Sequence, residues 1–212
     1  MKVDGVFFDL DGTLWDNNEN CFLGWREVLI KTPEKIPYPS IEDIRKCAGK
    51  TTPEVCAQLL SGIPMPRAEE LIETVFESEV AYTAKNGGVL YDRIEETLAA
   101  LAERYSVFLV SNCDPDYLEA FFENHGLRKY FRDAASYTGE HHAKADNILE
   151  LVKRYDIKCP VYVGDTIMDY QATTVAGVPF IHAAYGFGEV PEARYRIEAL
   201  GDLPEYLMTL DL

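Results

Sequence analysis

The chain has 212 residues, of which 47% are hydrophobic and 26% are charged, a composition typical of a globular protein that excludes a disordered, collagen-like or coiled-coil chain. Its 36 acidic and 20 basic residues give a net charge of -16, which argues against nucleic acid and anionic membrane surfaces as partners because like charges repel over about 10 Å. No stretch of about 20 apolar residues indicates a membrane span, and early acidic residues argue against a secretory signal. We therefore expect a soluble cytoplasmic protein.

Short apolar runs that stop at polar turns recur along the chain and predict buried strands. The first run, residues 6–8, is followed by Asp9-Leu10-Asp11-Gly12. The runs at residues 107–110 and 161–163 end at Ser111-Asn112 and Gly164-Asp165. Weaker strands are predicted near residues 134–137 and 178–182.

Helical periods separate these strands at residues 94–105, at residues 118–122 before Gly126, and at residues 148–155. The alternation predicts a parallel sheet covered on both faces, which is a doubly wound, Rossmann-like α/β domain. Ligands of such sheets bind beyond the carboxyl ends of the strands. We expect the polar turns to gather at that edge.

Residues 15–87 interrupt the alternation, because they show helical patterns without a convincing strand. The longest of these helices is predicted to begin near Pro66 and to end at Asn86-Gly87-Gly88. The predicted organisation is therefore an α/β core domain formed by residues 1–14 and 88–212, with an inserted α-helical domain at residues 15–87.

Four aspartates are predicted to lie near one another at the edge of the sheet. Asp9 and Asp11 follow the first strand, and Asp165 and Asp169 follow another strand. Carboxylates so close repel one another unless a cation offsets their charge. Oxygen ligands without His or Cys in the turns favour magnesium over zinc. The alternative for Asp9 and Asp11 is a simple turn cap, which the other polar turns make less attractive.

The sequences F-F-D-L-D-G-T-L, V-S-N and G-D-T-I-M-D, with Lys144 opening a helix, resemble the four motifs of the haloacid dehalogenase superfamily. The insert at residues 15–87 is similar in position to the helical cap of that family. Residues 183–207 resemble the phosphoglycolate-phosphatase-type members. The resemblance covers essentially the whole chain, and it implies a core with strand order 5-4-1-2-3.

The resemblance also implies roles for the aspartates. Asp9 would be the nucleophile that accepts the phosphoryl group, and Asp11 would protonate the leaving oxygen and later deprotonate water. Mg²⁺ would be held by Asp9, the main-chain carbonyl of Asp11 and Asp165. Asp169 would be a supporting or additional metal carboxylate.

Further residues would bind the phosphate and the rest of the substrate. By the same resemblance, Ser111 supplies a hydroxyl and Lys144 a fixed positive charge, while Thr13 and Asn112 help to hold the phosphate. A lysine near a helix start is otherwise an ordinary surface charge, and here Ala145 follows it where family members often have proline.

Two cations of the insert are candidates for reading the substrate. Arg45 and Lys50 flank a glycine-bearing turn, where the family commonly places a substrate-reading loop. The alternative, solvated charges on a helical surface, stays open. His141 and His142 are interpreted as loop residues rather than ligands.

The expected function is a magnesium-dependent phosphatase that hydrolyses a small phosphorylated metabolite through an aspartyl-phosphate intermediate. A sugar phosphomutase of the same family is the main alternative, and a non-catalytic binding module is a more distant one. A dehalogenase is less expected, because it has no leaving alkoxide for Asp11 to protonate. The sequence leaves open whether the protein is a monomer or a dimer.

Overall fold

The computed structural model describes residues 2–48, 50–136 and 144–210. A six-stranded parallel sheet lies at its centre, in the order β5-β4-β1-β6-β7-β8, and β2 pairs with β3 in a separate antiparallel ribbon. The strands are β1 (Gly5–Phe8), β2 (Trp15–Asp16), β3 (Val89–Leu90), β4 (Ser106–Val110), β5 (Asp133–Ala135), β6 (Pro160–Gly164), β7 (Phe180–Ala183) and β8 (Tyr195–Ile197).

Helices connect the strands. They are α1 (Asn18–Lys31), α2 (Ile41–Arg45), α3 (Thr52–Leu59), α4 (Met65–Asn86), α5 (Ile94–Ala102), α6 (Pro115–His125), α7 (Lys144–Arg154), α8 (Ile167–Ala176) and α9 (Leu203–Thr209). No helix within the described ranges is long and apolar enough to cross a membrane.

The doubly wound α/β prediction is confirmed. The five predicted strands are, in chain order, β1, β4, β5, β6 and β7, and numbered 1 to 5 in this way they lie in the expected order 5-4-1-2-3. The sheet has one further strand, β8, beyond β7. We did not predict β8, because its sequence Tyr-Arg-Ile offers no apolar run. The strand needs little burial because it is at the edge of the sheet, with β7 as its partner.

Two hydrophobic clusters fill the two faces of the sheet. Phe8, Leu109 and Val163 belong to one cluster, whereas Phe7 and Phe108 belong to the other. Neighbouring residues of one strand thus enter opposite faces, as the period of a strand requires. Burial on both faces explains why these strands read as continuous apolar runs.

The helices α1 to α4 form what we call the helical segment (residues 18–86). It contains a third cluster, in which Trp25, Val55 and Ile72 are buried together. The predicted long helix is confirmed as α4, which begins at Met65 and ends at Asn86. The helical segment therefore has its own hydrophobic core.

The ribbon of β2 and β3 joins the sheet to the helical segment. Trp15 pairs with Leu90 and Asp16 pairs with Val89, so the chain enters and leaves the helical segment side by side. Our expectation that residues 15–87 contain no strand is wrong at Trp15–Asp16, since two residues are too short to show an alternating pattern. The Trp15 side chain is fully buried.

Candidate active site

The carboxyl ends of β1 and β6 bring three aspartates together. Asp9 follows β1, Asp165 follows β6, and Asp169 lies in the first turn of α8. One carboxylate oxygen from each lies within 4.8 Å of the others, and all three side chains are buried. Adjacent parallel strands, paired from Gly5↔Pro160 to Phe8↔Val163, hold the two loops side by side.

The start of α8 orients Asp169. Its Oδ2 accepts hydrogen bonds from the Thr166 backbone N–H at 3.0 Å and from the Thr166 hydroxyl at 2.7 Å, which completes a capping box. The second oxygen, Oδ1, is left for Lys144. The stretch from Asp165 to Asp169 is therefore a helix start and not only a turn.

Lys144 lies between two of these carboxylates. Its Nζ donates to Asp9 Oδ1 at 2.8 Å and to Asp169 Oδ1 at 2.6 Å, and the residue is 5% exposed. Although burial by itself lowers the pKa of Lys144, the charges of Asp169 and Asp9 raise that pKa well above its usual value. Lys144 is thus a buried cation, and the alternative of a solvated surface charge is wrong.

The electrostatic balance of this group is negative. Three carboxylates and one ammonium group leave a net formal charge of -2. Burial raises the pKa of Asp9 to about 7, the Asp169 charge acts in the same direction, and Lys144 opposes both. The pKa of Asp165 is also raised, most strongly by burial and next by the charges of Asp169 and Asp9. A divalent cation would offset this charge.

The hydrogen bonds of Asp165 show whether the three carboxylates are suited to bind a metal ion. Its Oδ2 accepts a hydrogen bond from the Phe187 backbone N–H at 2.7 Å. Its Oδ1 is buried and has no hydrogen-bond partner among the described residues. A buried carboxylate oxygen without a partner is costly, and oxygen ligands suit Mg²⁺, so the donor set fits a hard divalent cation.

Two glycines permit the close approach of the loops around Asp165. Gly12 has a φ of +79°, and a Cβ there would lie 2.1 Å from Asp165 Oδ2. A Cβ on Gly186 would lie 2.3 Å from both Asp165 Cβ and the Gly12 carbonyl oxygen. The positive φ alone disfavours any other residue at Gly12. Both glycines are therefore required by the geometry of the aspartate cluster.

The Asp11 carboxylate lies outside the group formed by Asp9, Asp165 and Asp169. Its Oδ1 accepts hydrogen bonds from Trp15 Nε1 at 2.9 Å and from the Tyr117 hydroxyl at 2.7 Å. Burial raises the pKa of Asp11 to about 6, against the lowering effect of those two hydrogen bonds. The two aspartates that follow β1 therefore have different partners and different surroundings.

The predicted phosphate-binding residues surround the same loops. Ser111, at the end of β4, is buried, and its hydroxyl accepts from the Cys113 backbone N–H at 3.3 Å. Asn112 is next to it and half-buried. Thr13 is fully buried, and its hydroxyl has no hydrogen-bond partner in the described part of the chain.

Arg45 and Lys50 differ in their contacts. Arg45 Nη2 forms an ion pair with Asp16 Oδ2 at 2.9 Å, and its guanidinium lies 5.7 Å from the centre of the Phe187 ring. Arg45 therefore joins the helical segment to the loop whose backbone holds Asp165. Lys50 instead donates a hydrogen bond to Gln58 within the helical segment.

Several residues of the site were not identified by sequence reasoning. Tyr117 binds Asp11, and the Phe187 amide binds Asp165. No short motif marks Tyr117, because it is one of many aromatic residues at helical spacing. Phe187 belongs to the run Tyr185-Gly186-Phe187-Gly188, and only the fold shows that the backbone of this run contacts the aspartate cluster.

Comparison with known proteins agrees with this geometry. The family model described as Haloacid dehalogenase-like hydrolase matches residues 6–183. The chain belongs to the haloacid dehalogenase-like hydrolases. It is 24% identical over 216 residues to a phosphoglycolate phosphatase of Salmonella typhimurium, with 88% of this chain and 83% of the relative covered. A phosphoglycolate phosphatase of Vibrio parahaemolyticus is also 24% identical, with 86% and 84% covered.

Solved structures share the fold of this haloacid dehalogenase-like hydrolase. A family member from Streptococcus pneumoniae superposes with a TM-score of 0.85 at 19% identity, covering 96% of this chain and 98% of that one. A predicted phosphatase from Clostridium acetobutylicum gives a TM-score of 0.82 at 21% identity, covering 99% and 100%. The family and its phosphatase relatives make this chain a phosphoric monoester hydrolase.

Proposed function

We propose that the protein is a magnesium-dependent phosphatase that hydrolyses a small phosphorylated metabolite through a phosphoryl group carried on Asp9. The observation that carries the proposal is the buried group of three carboxylates around Lys144, with Asp165 Oδ1 lacking a hydrogen-bond partner among the described residues. Such a group favours a divalent cation over an empty protein cavity.

Asp9, Asp165 and the main-chain carbonyl of Asp11 would hold Mg²⁺, with Asp169 as a further or supporting carboxylate. When bound, the ion would neutralise charge on the phosphoryl oxygens and on the attacking carboxylate. This matters because an anion cannot otherwise approach a phosphate dianion.

In the proposed first step, a carboxylate oxygen of Asp9 attacks phosphorus and the bond from phosphorus to the ester oxygen breaks. Asp11 gives its proton to the departing oxygen. Its pKa of about 6, raised by burial, suits a group that must be protonated for one step and ionised for the next.

In the second step, water attacks the phosphorus of the Asp9 phosphoryl group. The ionised Asp11 takes a proton from that water, the bond from phosphorus to the Asp9 oxygen breaks, and inorganic phosphate leaves. Asp11 thereby regains the proton that it lost in the first step, so the cycle is closed without any other acid or base.

The remaining residues would position the phosphoryl group. Lys144 keeps Asp9 in place through its 2.8 Å hydrogen bond and contributes a fixed positive charge. The Thr13 hydroxyl, which has no hydrogen-bond partner among the described residues, and the Ser111 hydroxyl are available donors in the loops after β1 and β4, and Asn112 adds an amide.

For the substrate, we propose a small phosphorylated metabolite, and phosphoglycolate is the first candidate because it appears in the names of the curated relatives. We also propose that residues 15–87 act as a cap over a core formed by residues 1–14 and 88–212. Arg45, which reaches Asp16 and the Phe187 ring, is the favoured substrate-reading cation, with Lys50 as the second candidate. The cytoplasm is the proposed compartment.

A sugar phosphomutase would use the same Asp9 and Asp11. It would also have to retain a bisphosphorylated intermediate and return its second phosphate to Asp9. The curated relatives are phosphoglycolate phosphatases, which favours the phosphatase.

Purified protein tests the proposal with a panel of phosphorylated metabolites and nitrophenyl phosphate, with Mg²⁺ and with excess chelator. We expect phosphate release only with the ion, and a loss on the order of 10⁴-fold for Asp9→Asn because an amide is not a nucleophile. Trapping radioactive phosphate on wild type but not on Asp9→Asn would support the intermediate. Full activity in chelator, or with Asp9→Asn, would refute the scheme.

A further inference from the structure

The two oxygens of Asp11 are not equivalent. Trp15 Nε1 and the Tyr117 hydroxyl both donate to Oδ1, at 2.9 Å and 2.7 Å. A carbonyl-type oxygen has two acceptor sites, and these donors fill both. Oδ2 is therefore the oxygen that remains for exchange of a proton.

The direction of the Tyr117 hydroxyl is fixed by its second neighbour. Asn17 Nδ2 lies 2.8 Å from the Tyr117 oxygen, and an amide nitrogen can only donate. A second hydrogen of that amide goes to Thr83 Oγ1 at 2.7 Å. Because the Tyr117 oxygen accepts from Asn17, its single hydroxyl proton goes to Asp11 Oδ1 at 2.7 Å rather than to Cys21 Sγ, a weak acceptor at 4.0 Å.

Asn17 is itself held in one orientation. Its Oδ1 accepts a hydrogen bond from Asn20 Nδ2 at 2.7 Å, which assigns the other end of the amide to the nitrogen. Asn17 and Thr83 are buried, at 2% and 0% exposed, so water does not compete for these bonds. Buried and fully paired networks of this kind hold their members in one arrangement.

The network also joins three parts of the fold. Tyr117 lies in α6 of the core, Asn17 immediately precedes α1, and Thr83 lies near the end of α4. The Tyr117 ring packs edge-on against Trp15, with 5.5 Å between ring centres. The two donors to Asp11 therefore support each other.

We infer that Tyr117 is a positioning residue for Asp11: together with Trp15 it occupies Oδ1, so that the proton given to the leaving oxygen is carried on Oδ2. This inference rests on the proposed acid role of Asp11. The Tyr117 proton is not transferred, since its hydroxyl stays a donor to Oδ1 while the Oδ2 proton moves to the ester oxygen.

Tyr117→Phe tests the inference because it keeps the ring and removes only the hydroxyl. A poor alkoxide leaving group needs the Asp11 proton, whereas a nitrophenolate departs without it. We expect kcat on an alkyl phosphate to fall roughly 10- to 100-fold with little change in KM, and kcat on nitrophenyl phosphate to fall less than about threefold. A structural role alone would lower both rates together.

The double variant Asp11→Asn/Tyr117→Phe makes the test stricter. If Tyr117 acts through Asp11, removal of its hydroxyl causes no further loss on the alkyl ester once Asp11 is already asparagine. Losses that multiply, or equal losses on both esters in Tyr117→Phe, would overturn the inference. Asn17→Ser removes the amide that donates to the Tyr117 oxygen and should cause the same leaving-group-dependent loss. Equal losses on both esters in Asn17→Ser would also overturn the inference.

Tyr155→Phe is the matched control. The Tyr155 hydroxyl donates to Asp133 Oδ2 at 2.9 Å, so this variant also removes a hydrogen bond between a tyrosine and a carboxylate. Tyr155 follows the last residue of α7, whereas Lys144 is the first residue of that helix. We expect both esters to be hydrolysed as by wild type. The single variant Asp11→Asn separates the two proposals. If its loss of rate does not depend on the leaving group, the acid role of Asp11 fails. If the loss depends on the leaving group in Asp11→Asn but not in Tyr117→Phe, only the inference about Tyr117 is refuted.

Discussion

Lys144, the first residue of α7, donates a hydrogen bond of 2.6 Å to Asp169, the third residue of α8. Lys144 also bonds to Asp9, so one buried ammonium group joins the starts of two helices to the end of β1. The interaction places the only cation of the aspartate cluster, as far as the described residues extend, beside the carboxylate that we propose as nucleophile. Its removal would leave three buried carboxylates without compensation.

We therefore predict that Lys144→Met destabilises the protein by about 3–5 kcal/mol in chelator, as expected when one member of a buried ion pair is removed. Mg²⁺ should restore part of the loss, because it compensates the same carboxylates. Urea unfolding with and without the ion measures both effects. Lys129→Met is the control, since it removes an exposed lysine paired with Glu95 and should leave the transition unchanged.

The pKa of Asp9 predicts how stability depends on pH. Without a metal, burial raises this pKa from 3.8 to about 7, so between these values the folded protein holds a proton that the unfolded chain has released. Stability in chelator should then fall as pH rises from about 4 to 7. The proposed Mg²⁺ would bind the ionised carboxylates, so its stabilising effect should be larger at pH 8 than at pH 5.

Thermal unfolding at several pH values, with Mg²⁺ or with chelator, measures this linkage. Asp9→Asn should reduce the pH dependence, because asparagine does not titrate, while Asp11 and Asp165, whose pKa values burial also raises, still contribute. An increase in melting temperature that is the same at pH 5 and pH 8 would contradict the prediction.

Arg45 and Lys50 are predicted to behave differently. Arg45 contacts Asp16 and the Phe187 ring, whereas Lys50 is bonded to Gln58. Arg45→Ala should therefore lower kcat/KM for the natural substrate more than for nitrophenyl phosphate, by roughly tenfold for the loss of a charged contact. Lys50→Ala is the comparison and should have a smaller effect. Steady-state kinetics with both substrates would decide, and equal effects of the two variants would count against Arg45.

Gly186→Ala should disturb the proposed metal site by steric contact alone. An added Cβ would lie 2.3 Å from Asp165 Cβ and from the Gly12 carbonyl oxygen, so the loop must move. Overpacking of this kind costs about 1–3 kcal/mol, and we expect a weaker apparent affinity for Mg²⁺ as well. Gly62→Ala is the control, because no atom of the described residues lies within 4 Å of the position that its Cβ would take. Calorimetric titration with Mg²⁺ and thermal unfolding measure the two effects.

The parts of the fold that the sequence predicted are those built from continuous apolar runs. The strands that contain Phe8, Leu109 and Val163 are buried on both faces, so their apolar residues are nearly continuous and the run is easy to detect. By contrast, β8 and α8 have no such pattern. In α8, Ile167 and Val175 are exposed while Asp169 and Thr173 are buried, which reverses the usual hydrophobic periodicity.

For the site, the sequence predicted which residues gather but not what holds them. Asp9, Asp165 and Lys144 stand in recognisable motifs at strand or helix ends, and parallel pairing brings such ends together. The partners of Asp11 follow from tertiary packing instead. Tyr117 is 106 residues away along the chain, and nothing local distinguishes it from the neighbouring aromatic residues.

The position of β1 in the sheet has a consequence for synthesis of the chain. Among the strands of this sheet, β1 is translated first, yet its two partner strands begin at Ser106 and Pro160. At roughly 5–20 residues per second, a ribosome needs about 8–30 s to reach the second partner. During that interval the apolar run that ends at Phe8 has no completed sheet to join, while the helical segment can already close its own core. The strand that leads into Asp9 is thus exposed to aggregation or to chaperones for longer than any other strand of the sheet.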